Sequence, residues 1–320
     1  MQFSGLELPA SLPAASGWKR VTACPACASP ARIPQGEIPE RYYVFGSDRV
    51  SFPNAAIGVH RCGRCGLIYK SPVPEDGLLA SVFARHAAGK WDLPHDYEPE
   101  LRRLRELAGG SELDLLDIGT SDGAWLGACA AGGIRGRRSA LDVVRYPGAD
   151  AQISGEFIHA ALDDPGFGWS GEPYDVVTAF DVLEHLHRPD VAFANLRALV
   201  RPGGWLWIET GCADSFWPNR FGVHHWWYVR LLEHHVFWSR RSLEHVAGVH
   251  GFALERCEST RHKSWRDAGL AEIGAELLKT GVYCAVGRRY AALAQHFGRE
   301  GNQPWYPFGR DHLRAWLRRC

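Results

Sequence analysis

The stretch LDLLDIGTSDG (residues 113–123) decides the fold that the sequence predicts. Its first part, LDLLDIG, is a short apolar run that ends in glycine, which is typical of a buried parallel strand. GAWLGACAA (123–131) follows with a helical pattern, and Gly132 is a stop signal for that helix. A glycine loop between a strand and a helix presents backbone N–H groups and a helix N-terminus to a ligand. The stretch therefore predicts a strand, a ligand-binding loop and a helix in succession.

The segments downstream alternate between strand and helix patterns. Four further strands are predicted at RRSALDV (137–143), EFIHAAL (156–162), YDVVTAF (174–180) and WLWIET (205–210). Helices are predicted at YEPELRRLRELA (97–108) and DVAFANLRALV (190–200). Strands that alternate with helices form a parallel, doubly wound sheet, and such sheets bind ligands beyond the carboxyl ends of their strands.

The C-terminal third adds a helix and two edge strands. In SRRSLEHVAGVHGF (239–252), Ser239 is a suitable N-cap and Gly251 a suitable residue after the helix C-terminus. FALERCEST (252–260) and GVYCAVGRR (281–289) are predicted as an antiparallel edge pair. The fold class is thus α/β, a doubly wound, mostly parallel sheet of seven strands. We predict three regions: an N-terminal lobe (1–90), the sheet domain (91–290) and a helical, aromatic tail (291–320).

Charge and hydropathy narrow the range of partners. The chain has 36 Lys and Arg residues against 36 Asp and Glu residues, so its net charge gives no reason to expect a nucleic-acid or membrane partner. No apolar segment is long enough to span a bilayer, and the start, MQFSGLELPASLPAASGWKR, lacks the pattern of a signal peptide. We expect a cytoplasmic protein that acts on a small molecule, and the sequence leaves its oligomeric state open.

Four of the nine cysteines form two C-x-x-C pairs, CPAC (24–27) and CGRC (62–65). A turn at each pair brings two thiolates to one side, and two such turns build a tetrahedral site for zinc. Four thiolates close the coordination shell, so the zinc would be structural. Its predicted ligands are Cys24, Cys27, Cys62 and Cys65. The alternative is that these cysteines are redox-active or hold no ligand.

Three motifs resemble those of the class I S-adenosylmethionine (SAM) dependent methyltransferases. They are D-I-G-x-x-x-G at 117–123, F-D-V-L-E-H-L at 180–186 and the L-x-R-P-G-G turn at 199–204. The resemblance covers residues 97 to 290 and implies a Rossmann-like methyltransferase sheet with SAM as cofactor. The alternative is a doubly wound domain for another nucleotide, but the sequence lacks the G-x-G-x-x-G and G-K-[ST] signatures of nicotinamide and P-loop enzymes.

The resemblance assigns the cofactor contacts residue by residue. The pocket for the methionine part of SAM would be shaped by Asp117, Gly119, Thr120, Ser121 and Gly123. Asp142 would hold the ribose, the adenine would be flanked by Ala161, Leu162 and Asp163, and the floor below the methyl group would be Phe180 and Asp181. The family usually has glycine where this chain has Ser121, and a serine fits there if its φ angle is negative.

The cysteine pairs make the resemblance more specific. C-P-x-C followed by R-C-x-x-C-G-L-I-Y-x-x-P-x-P (61–74) resembles the N-terminal zinc-binding module of a methyltransferase subgroup. That subgroup includes sugar C-methyltransferases of deoxysugar and secondary-metabolite pathways. The resemblance implies a zinc-ribbon-like lobe in which the zinc is structural.

The stretch EHHVFWSRRSL (233–243) contains the candidate catalytic residues. Sugar C-methyltransferases carry Tyr-x-Glu-His followed by an aromatic residue and a serine, and Glu233 and His234 match the Glu-His of that frame. Leu231 stands where the tyrosine would be, and on a looser frame His235 is the matching histidine. Histidine is well suited to remove a proton near neutral pH. The predicted catalytic residues are His234, His235, Glu233 and, just past the fourth strand, His185.

The resemblance implies SAM-dependent methyl transfer to an oxygen or carbon of a sugar, a glycan or an aromatic natural-product intermediate, with a histidine as base. Trp226, Trp227 and Tyr228 are candidates to line a pocket for a flat substrate, or else to pack in the core. A metal site built from histidines is disfavoured, because only Asp181 offers a carboxylate of the kind that metal-dependent relatives use. The alternative function is a member of the fold that binds SAM without methylating or without catalysis.

Overall fold

The structure, a computed structural model, describes residues 17–38, 42–45, 48–51, 56–86, 96–146, 148–261, 269–286, 289–290 and 309–320. Its two larger sheets are a four-stranded sheet that begins near the N-terminus and a seven-stranded sheet built from later residues. Among the described residues, no helix combines the length and the apolar character that crossing a membrane requires.

The N-terminal lobe is made of short antiparallel strands. These strands are β1 (Trp18–Lys19), β2 (Arg32–Ile38), β3 (Tyr42–Phe45), β4 (Asp48–Ser51), β5 (Ile57–Cys62), β6 (Ile68–Ser71) and β7 (Val73–Pro74), and helix α1 (Asp76–His86) follows. In the four-stranded sheet, β5 pairs with β2 on one side and with β6 on the other. The first cysteine pair lies in the turn between β1 and β2; the second begins at Cys62, the last residue of β5, and ends in the turn before β6.

The seven-stranded sheet forms the rest of the fold. The helices and strands that follow α1 are, in chain order, α2 (Glu98–Ala108), β8 (Leu115–Ile118), α3 (Ala124–Ala131), β9 (Arg138–Asp142), β10 (Phe157–His159), β11 (Tyr174–Phe180), α4 (Pro189–Leu199), β12 (Val200–Gly211), α5 (Phe216–Phe221), β13 (Val236–Phe237), α6 (Arg240–Val249), β14 (Phe252–Thr260), α7 (Leu270–Val286) and β15 (His312–Arg319). All these strands except β13 belong to the seven-stranded sheet. The strand order is β10-β9-β8-β11-β12-β15-β14. The strands from β10 to β12 are parallel, and β15 is antiparallel to both neighbours.

The structure confirms the Rossmann-like methyltransferase sheet and its five predicted parallel strands. The reason is visible in β8, where all four residues are buried, as expected for a strand covered on both faces. Helix α6 begins as predicted: the Ser239 hydroxyl accepts from the backbone N–H of Ser242 at 3.1 Å, and the Ser242 hydroxyl accepts from the N–H of Ser239 at 2.9 Å. This reciprocal pair is a capping box, which satisfies two N–H groups at the helix start.

The prediction for the C-terminal region is wrong in two places. Residues 281–286 of the predicted strand GVYCAVGRR instead form the end of α7, and residues 287–288 lie outside the described residues. The seventh strand is β15, in the tail that the sequence predicts to be helical; residues 291–308 of that tail lie outside the described residues. In HLRAWLRR (312–319), Leu313, Trp316 and Leu317 have the i, i+3, i+4 spacing of a helix. Pairing with β12 on one side and β14 on the other overrides this local pattern.

A segment in the C-terminal half of the chain, residues 236–238, joins the two sheets. β13 pairs with β6 of the lobe through Val236 and Tyr69, while Trp238 forms a bridge with Cys212, just past β12. The aromatic residues before β13, including Trp226, pack in one core cluster with residues of the lobe. The histidine stretch that begins at residue 233 therefore lies between the lobe and the carboxyl edge of the main sheet.

Candidate functional site

A glycine loop follows β8 at the carboxyl end of the parallel strands. Gly119 and Gly123 have φ angles of +72° and +83°, in the left-handed region that favours glycine. A Cβ at Gly119 would lie 2.5 Å from Cγ2 of Val182, and one at Gly123 would lie 3.1 Å from Cα of Ala149. Both positions therefore require glycine for close packing as well as for backbone conformation. The contact with Val182 also brings the loop next to Asp181, so two groups of predicted cofactor residues lie together.

Ser121 lies in the same loop with a φ angle of +50°. The expectation that a serine fits here through a negative φ is therefore wrong. The left-handed conformation costs a residue with a Cβ about 1–2 kcal/mol, and residues held in such conformations concentrate at ligand sites. The backbone N–H of Ser121 donates to Oδ2 of Asp142 at 3.1 Å. This hydrogen bond helps to hold the loop in its strained shape.

We expect Ser121→Gly to raise the free energy of unfolding by about 1 kcal/mol, because glycine adopts this conformation without the Cβ penalty. Chemical denaturation of the wild type and the variant measures the change. Ser170→Gly is the matched control, because Ser170 is exposed and its φ is not positive, and it should lower stability slightly. Equal losses in both variants would show that Ser121 is not strained.

Two carboxylates flank the glycine loop and have different surroundings. Asp142, at the end of β9, is half-buried, and its Oδ1 accepts from the backbone N–H of Val144 at 3.0 Å. Burial raises the pKa of Asp142. Asp117 is buried, its Oδ1 accepts from the hydroxyl of Thr178 at 2.7 Å, and burial raises its pKa to about 7. Asp117 thus joins β8 to β11 within the sheet, while Asp142 borders the loop where a ligand would approach.

The residues predicted to flank the adenine follow β10. Ala161 is half-buried and Leu162 is buried, and the carbonyl oxygen of Leu162 accepts from Nδ2 of Asn195 at 2.8 Å. Oδ2 of Asp163 accepts from the backbone N–H groups of His187 and of the next residue, at 2.8 and 3.0 Å. These bonds fix the turn to the start of α4. Sequence reasoning missed Asn195, because a polar residue within a helix gives no local signal of a distant partner.

Phe180 ends β11 and Asp181 follows it, and both were predicted to lie below the methyl group of SAM. They lie near His312, which the sequence did not predict as a site residue. Phe180 packs against Trp207 with ring centroids 5.2 Å apart, and Asp181 has a φ angle of +52°. Nε2 of His312 lies 3.7 Å from Oδ1 of Asp181, and its Nδ1 lies 3.1 Å from Oδ1 of Asp311. Burial lowers the pKa of His312, but the hydrogen bond and charge of Asp311 outweigh it and raise this pKa to about 9. His312 was missed because it begins β15, in the predicted helical tail.

A cluster of three polar side chains lies just past β11: Glu184, His185 and His234. Each offers one ligand atom, and these atoms lie within 4.8 Å of one another. Glu184 is fully buried, and its Oε2 accepts from the hydroxyl of Thr210 at 2.7 Å. Its Oε1 accepts from the hydroxyl of Tyr228. These two donors hold the carboxylate in one position beside the imidazoles.

The backbone contacts fix which tautomer each histidine of the cluster adopts when its ring is neutral. Nδ1 of His234 lies 3.0 Å from the carbonyl oxygen of Tyr228, and Nδ1 of His185 lies 3.0 Å from that of Glu233. A carbonyl oxygen only accepts, so Nδ1 carries the proton and Nε2 keeps a lone pair in each neutral ring. Burial, together with the nearby His185, lowers the pKa of His234 well below 6.5. His234 is therefore neutral near pH 7, with a lone pair on Nε2.

Glu233 and His235 lie away from this cluster. The ring of His235 stacks on that of His187, with centroids 4.0 Å apart, and its backbone N–H donates to the carbonyl oxygen of Glu184 at 2.7 Å. Glu233 is buried near Lys70 of the lobe; burial lowers the pKa of Lys70 to about 7, and the charge of Glu233 opposes this shift. Of the four predicted catalytic residues, the structure brings two into the cluster and places the other two towards the lobe.

The two cysteine pairs come together at one end of the lobe. The Sγ atoms of Cys24 and Cys65 are 3.5 Å apart, as are those of Cys27 and Cys62, and all four lie within 4.8 Å of one another. Zn–S bonds of about 2.3 Å place tetrahedral sulfurs about 3.8 Å apart, so the four thiols fit a zinc ion. The N–H of Arg64 donates to Sγ of Cys62 at 3.4 Å, which would stabilise a thiolate.

A small aromatic cavity opens beyond the carboxyl end of β12. Its walls include Phe216, Trp217, Trp226 and Trp227. Asp311 adds a polar side, and its Oδ2 accepts from Nε1 of Trp227 at 3.0 Å. Because Asp311 precedes His312, the cavity lies close to the end of β11. Open α/β sheets bind their ligands at this edge.

Comparison with known proteins identifies relatives of the chain. A family model described as a methyltransferase domain matches residues 85–256, more than half of the 320 residues. The ubiquinone biosynthesis O-methyltransferase of Bordetella avium is 28% identical over 141 residues, which cover 40% of this chain and 58% of the relative. The enzyme of the same name from Saccharophagus degradans is 30% identical over 147 residues, which cover 42% and 62%. The chain thus spans about three fifths of the curated relatives it matches.

Solved structures resemble the chain at low sequence identity. A putative methyltransferase of Bacillus halodurans is 18% identical with a TM-score of 0.49, and the match covers 69% of this chain and 98% of that one. The 1,6-didemethyltoxoflavin-N1-methyltransferase of Burkholderia thailandensis, solved with bound 1,6-didemethyltoxoflavin and S-adenosylhomocysteine, is 13% identical with a TM-score of 0.48. That match covers 88% of this chain and 99% of the other.

Proposed function

The chain belongs to the methyltransferase-domain family, and from this premise we propose that it transfers a methyl group from SAM to a small-molecule acceptor. The observation that carries the proposal is the loop after β8, where two left-handed glycines and Asp142 surround the start of α3. Glycine lets a ligand approach the backbone, and a helix N-terminus offers N–H groups to a carboxylate such as that of SAM. The carboxylate of Asp142 suits the two hydroxyls of a ribose.

The cluster beside this loop supports a role for His234 as the base. SAM supplies an activated methyl group on a sulfonium, and the protein must align the acceptor behind it. As the acceptor oxygen or carbon attacks, Nε2 of His234 takes its proton. The carboxylate of Glu184 then stabilises the imidazolium, and Nε2 of His185 offers a second lone pair to the same proton. Acceptors with O–H or C–H groups need such a base, which favours O- or C-methylation.

The aromatic cavity supports an acceptor with a ring. The tryptophan side chains suit the face of a sugar or an aromatic group, and Asp311 suits a hydroxyl. The curated relatives are named O-methyltransferases, which supports oxygen as the accepting atom. We therefore propose a sugar, a glycan or an aromatic natural-product intermediate as the acceptor.

The lobe has a structural part in this proposal. We propose that residues 1–90 hold one zinc ion through four cysteines and that residues 91–290 bind SAM, with β15 completing the sheet. A closed shell of four thiolates leaves no coordination position for an acceptor. The zinc would instead stabilise the lobe, which pairs with β13 and so supports the residues around His234.

Asp142→Asn is expected to weaken SAM binding about 10-fold to 100-fold, because an amide is a weaker acceptor for the ribose hydroxyls than a carboxylate. Isothermal titration calorimetry with SAM and S-adenosylhomocysteine measures both affinities. Asp190→Asn, an exposed carboxylate in the first turn of α4, is the control and should bind like the wild type. If the wild type bound neither compound, the proposed function would fail. SAM binding without methylation of any acceptor would favour the non-methylating alternative.

A second candidate rests on the geometry of the same cluster. Two imidazole lone pairs and a carboxylate converge within 4.8 Å, which is a donor set for a divalent transition-metal ion. In that case the cluster would orient an acceptor oxygen on the metal, and His234 would be a ligand instead of the base. The metal content of suitable variants separates the two possibilities, as described in the Discussion.

A further inference from the structure

A second, small cavity lies between the lobe and the main sheet. Its polar lining consists of Lys19, Tyr69 and Lys70 from the lobe, and His187 and His235 from the histidine-rich segments. His235 turns away from the cluster of Glu184, because neighbouring residues of an extended segment point to opposite sides. The cavity therefore lies apart from the proposed catalytic site, on the other side of the chain at residues 234 and 235.

Two buried side chains of this cavity have unused hydrogen-bonding groups. Tyr69 is 1% exposed and His235 is 2% exposed. Within the described part of the chain, neither the hydroxyl of Tyr69 nor either ring nitrogen of His235 has a hydrogen-bond partner. A buried polar group without a partner costs about 1–3 kcal/mol, and native proteins rarely leave such groups unsatisfied. Both groups therefore point to a polar occupant of the cavity.

The charges around the cavity favour an anionic occupant. Its lining includes two lysines and, among the described residues, no carboxylate; the buried carboxylate of Glu233 lies near Lys70 but is not part of the lining. Nζ of Lys70 donates to the carbonyl oxygen of Leu231 at 2.7 Å, which leaves two N–H groups for another acceptor when the amine is protonated. Burial lowers the pKa of Lys70 to about 7, and a bound anion would raise it again. The exposed carboxylate of Asp76, which is not part of the lining, is 2.9 Å from Nε2 of His187. The two lysine side chains and the Tyr69 hydroxyl are donors, and the neutral ring of His235 donates through one of its two nitrogens.

We propose that this cavity is a binding site for a phosphate group, held by Lys19, Lys70, Tyr69 and His235. Phosphate offers several acceptor oxygens and a negative charge, which match donors that converge from different directions. The same chemistry has two sources: inorganic phosphate, or a phosphate carried by an organic ligand. Because the lining comes from both the lobe and the residues next to His234, a bound phosphate links these two parts of the molecule.

The experiment is calorimetric titration of the whole 320-residue chain, as purified, with inorganic phosphate at constant ionic strength, with sodium chloride as the blank. Saturable binding is expected for the wild type. Lys70→Met should weaken it at least about 10-fold, because a charged hydrogen bond is lost, and Tyr69→Phe about 3-fold to 10-fold, because only a hydroxyl is lost. Lys279→Met, a partly exposed lysine of α7, is the control and should bind phosphate like the wild type.

Several outcomes decide the proposal. Absence of saturable binding, or equal affinity in all four proteins, would overturn it. Tyr69→Phe keeps the buried ring, so it remains informative if Lys70→Met does not fold. Glucose 1-phosphate separates the two sources: competition with inorganic phosphate at higher affinity supports a phosphorylated organic ligand, and exclusion of the sugar phosphate supports the free ion.

Discussion

Replacing His234 with alanine is expected to lower kcat about 10²-fold to 10⁴-fold and to leave the affinity for SAM unchanged. The size of the loss is that of a general base in the transition state. Nδ1 of His234 is held by the carbonyl oxygen of Tyr228, so Nε2 is the nitrogen that can take a proton. The glycine loop and Asp142, which we assign to SAM, lie outside this contact. The measurement is S-adenosylhomocysteine formation with an acceptor that the wild type methylates, alongside calorimetry with SAM.

His235→Ala is the matched control for this variant. Both histidines are buried, so each substitution creates a similar cavity and a similar loss of stability. His235 stacks on His187 instead of joining the cluster with Glu184, so its loss should change kcat far less. If the two variants lost the same fraction of activity, or if His234→Ala were nearly as active as the wild type, His234 would be a core residue.

Replacing Cys65 with serine is expected to reduce bound zinc from about one ion per chain to almost none and to lower the melting temperature. Removing one thiolate breaks the closed tetrahedral shell, and the binding energy of a structural zinc contributes directly to folding. The loss should extend to catalysis. The lobe strand β6 pairs with β13, which directly follows His234 and His235, so an unfolded lobe no longer supports them. Elemental analysis and thermal unfolding measure the two effects.

Cys284→Ser is the control for this variant, because Cys284 is exposed on α7. The control protein should bind as much zinc as the wild type and be equally stable. Wild-type protein with less than about a tenth of a zinc per chain would rule out the metal lobe. The same analysis tests the metal alternative at the cluster. A second metal ion that persists in Cys65→Ser and disappears in His185→Ala would favour it over a histidine base.

The candidate site was predictable where its residues follow one another in the sequence. The glycine loop, Asp142 and the two cysteine pairs each depend on a short pattern, and the structure gathers them as expected at two separate places. In the frame that the sequence resembles, a tyrosine stands at the position that Leu231 occupies in this chain. The structure instead places the hydroxyl of Tyr228 on Glu184, and no local pattern predicts this contact because the two residues are 44 positions apart.

The sequence by itself determined the five parallel strands, the loop after β8, the start of α6 and the cysteine pairs. In these segments the structure depends on the spacing of hydrophobic residues, on glycine conformation and on helix capping, and each of these involves only a few neighbouring residues. Only the tertiary structure decided that residues 312–319 form the seventh strand, that His312 meets Asp181, and that His234 faces the cluster while His235 faces the lobe. The physical reason is that strand pairing and side-chain direction depend on neighbours that are distant in the chain. A helical spacing in HLRAWLRR therefore yields to hydrogen bonds that β12 and β14 supply.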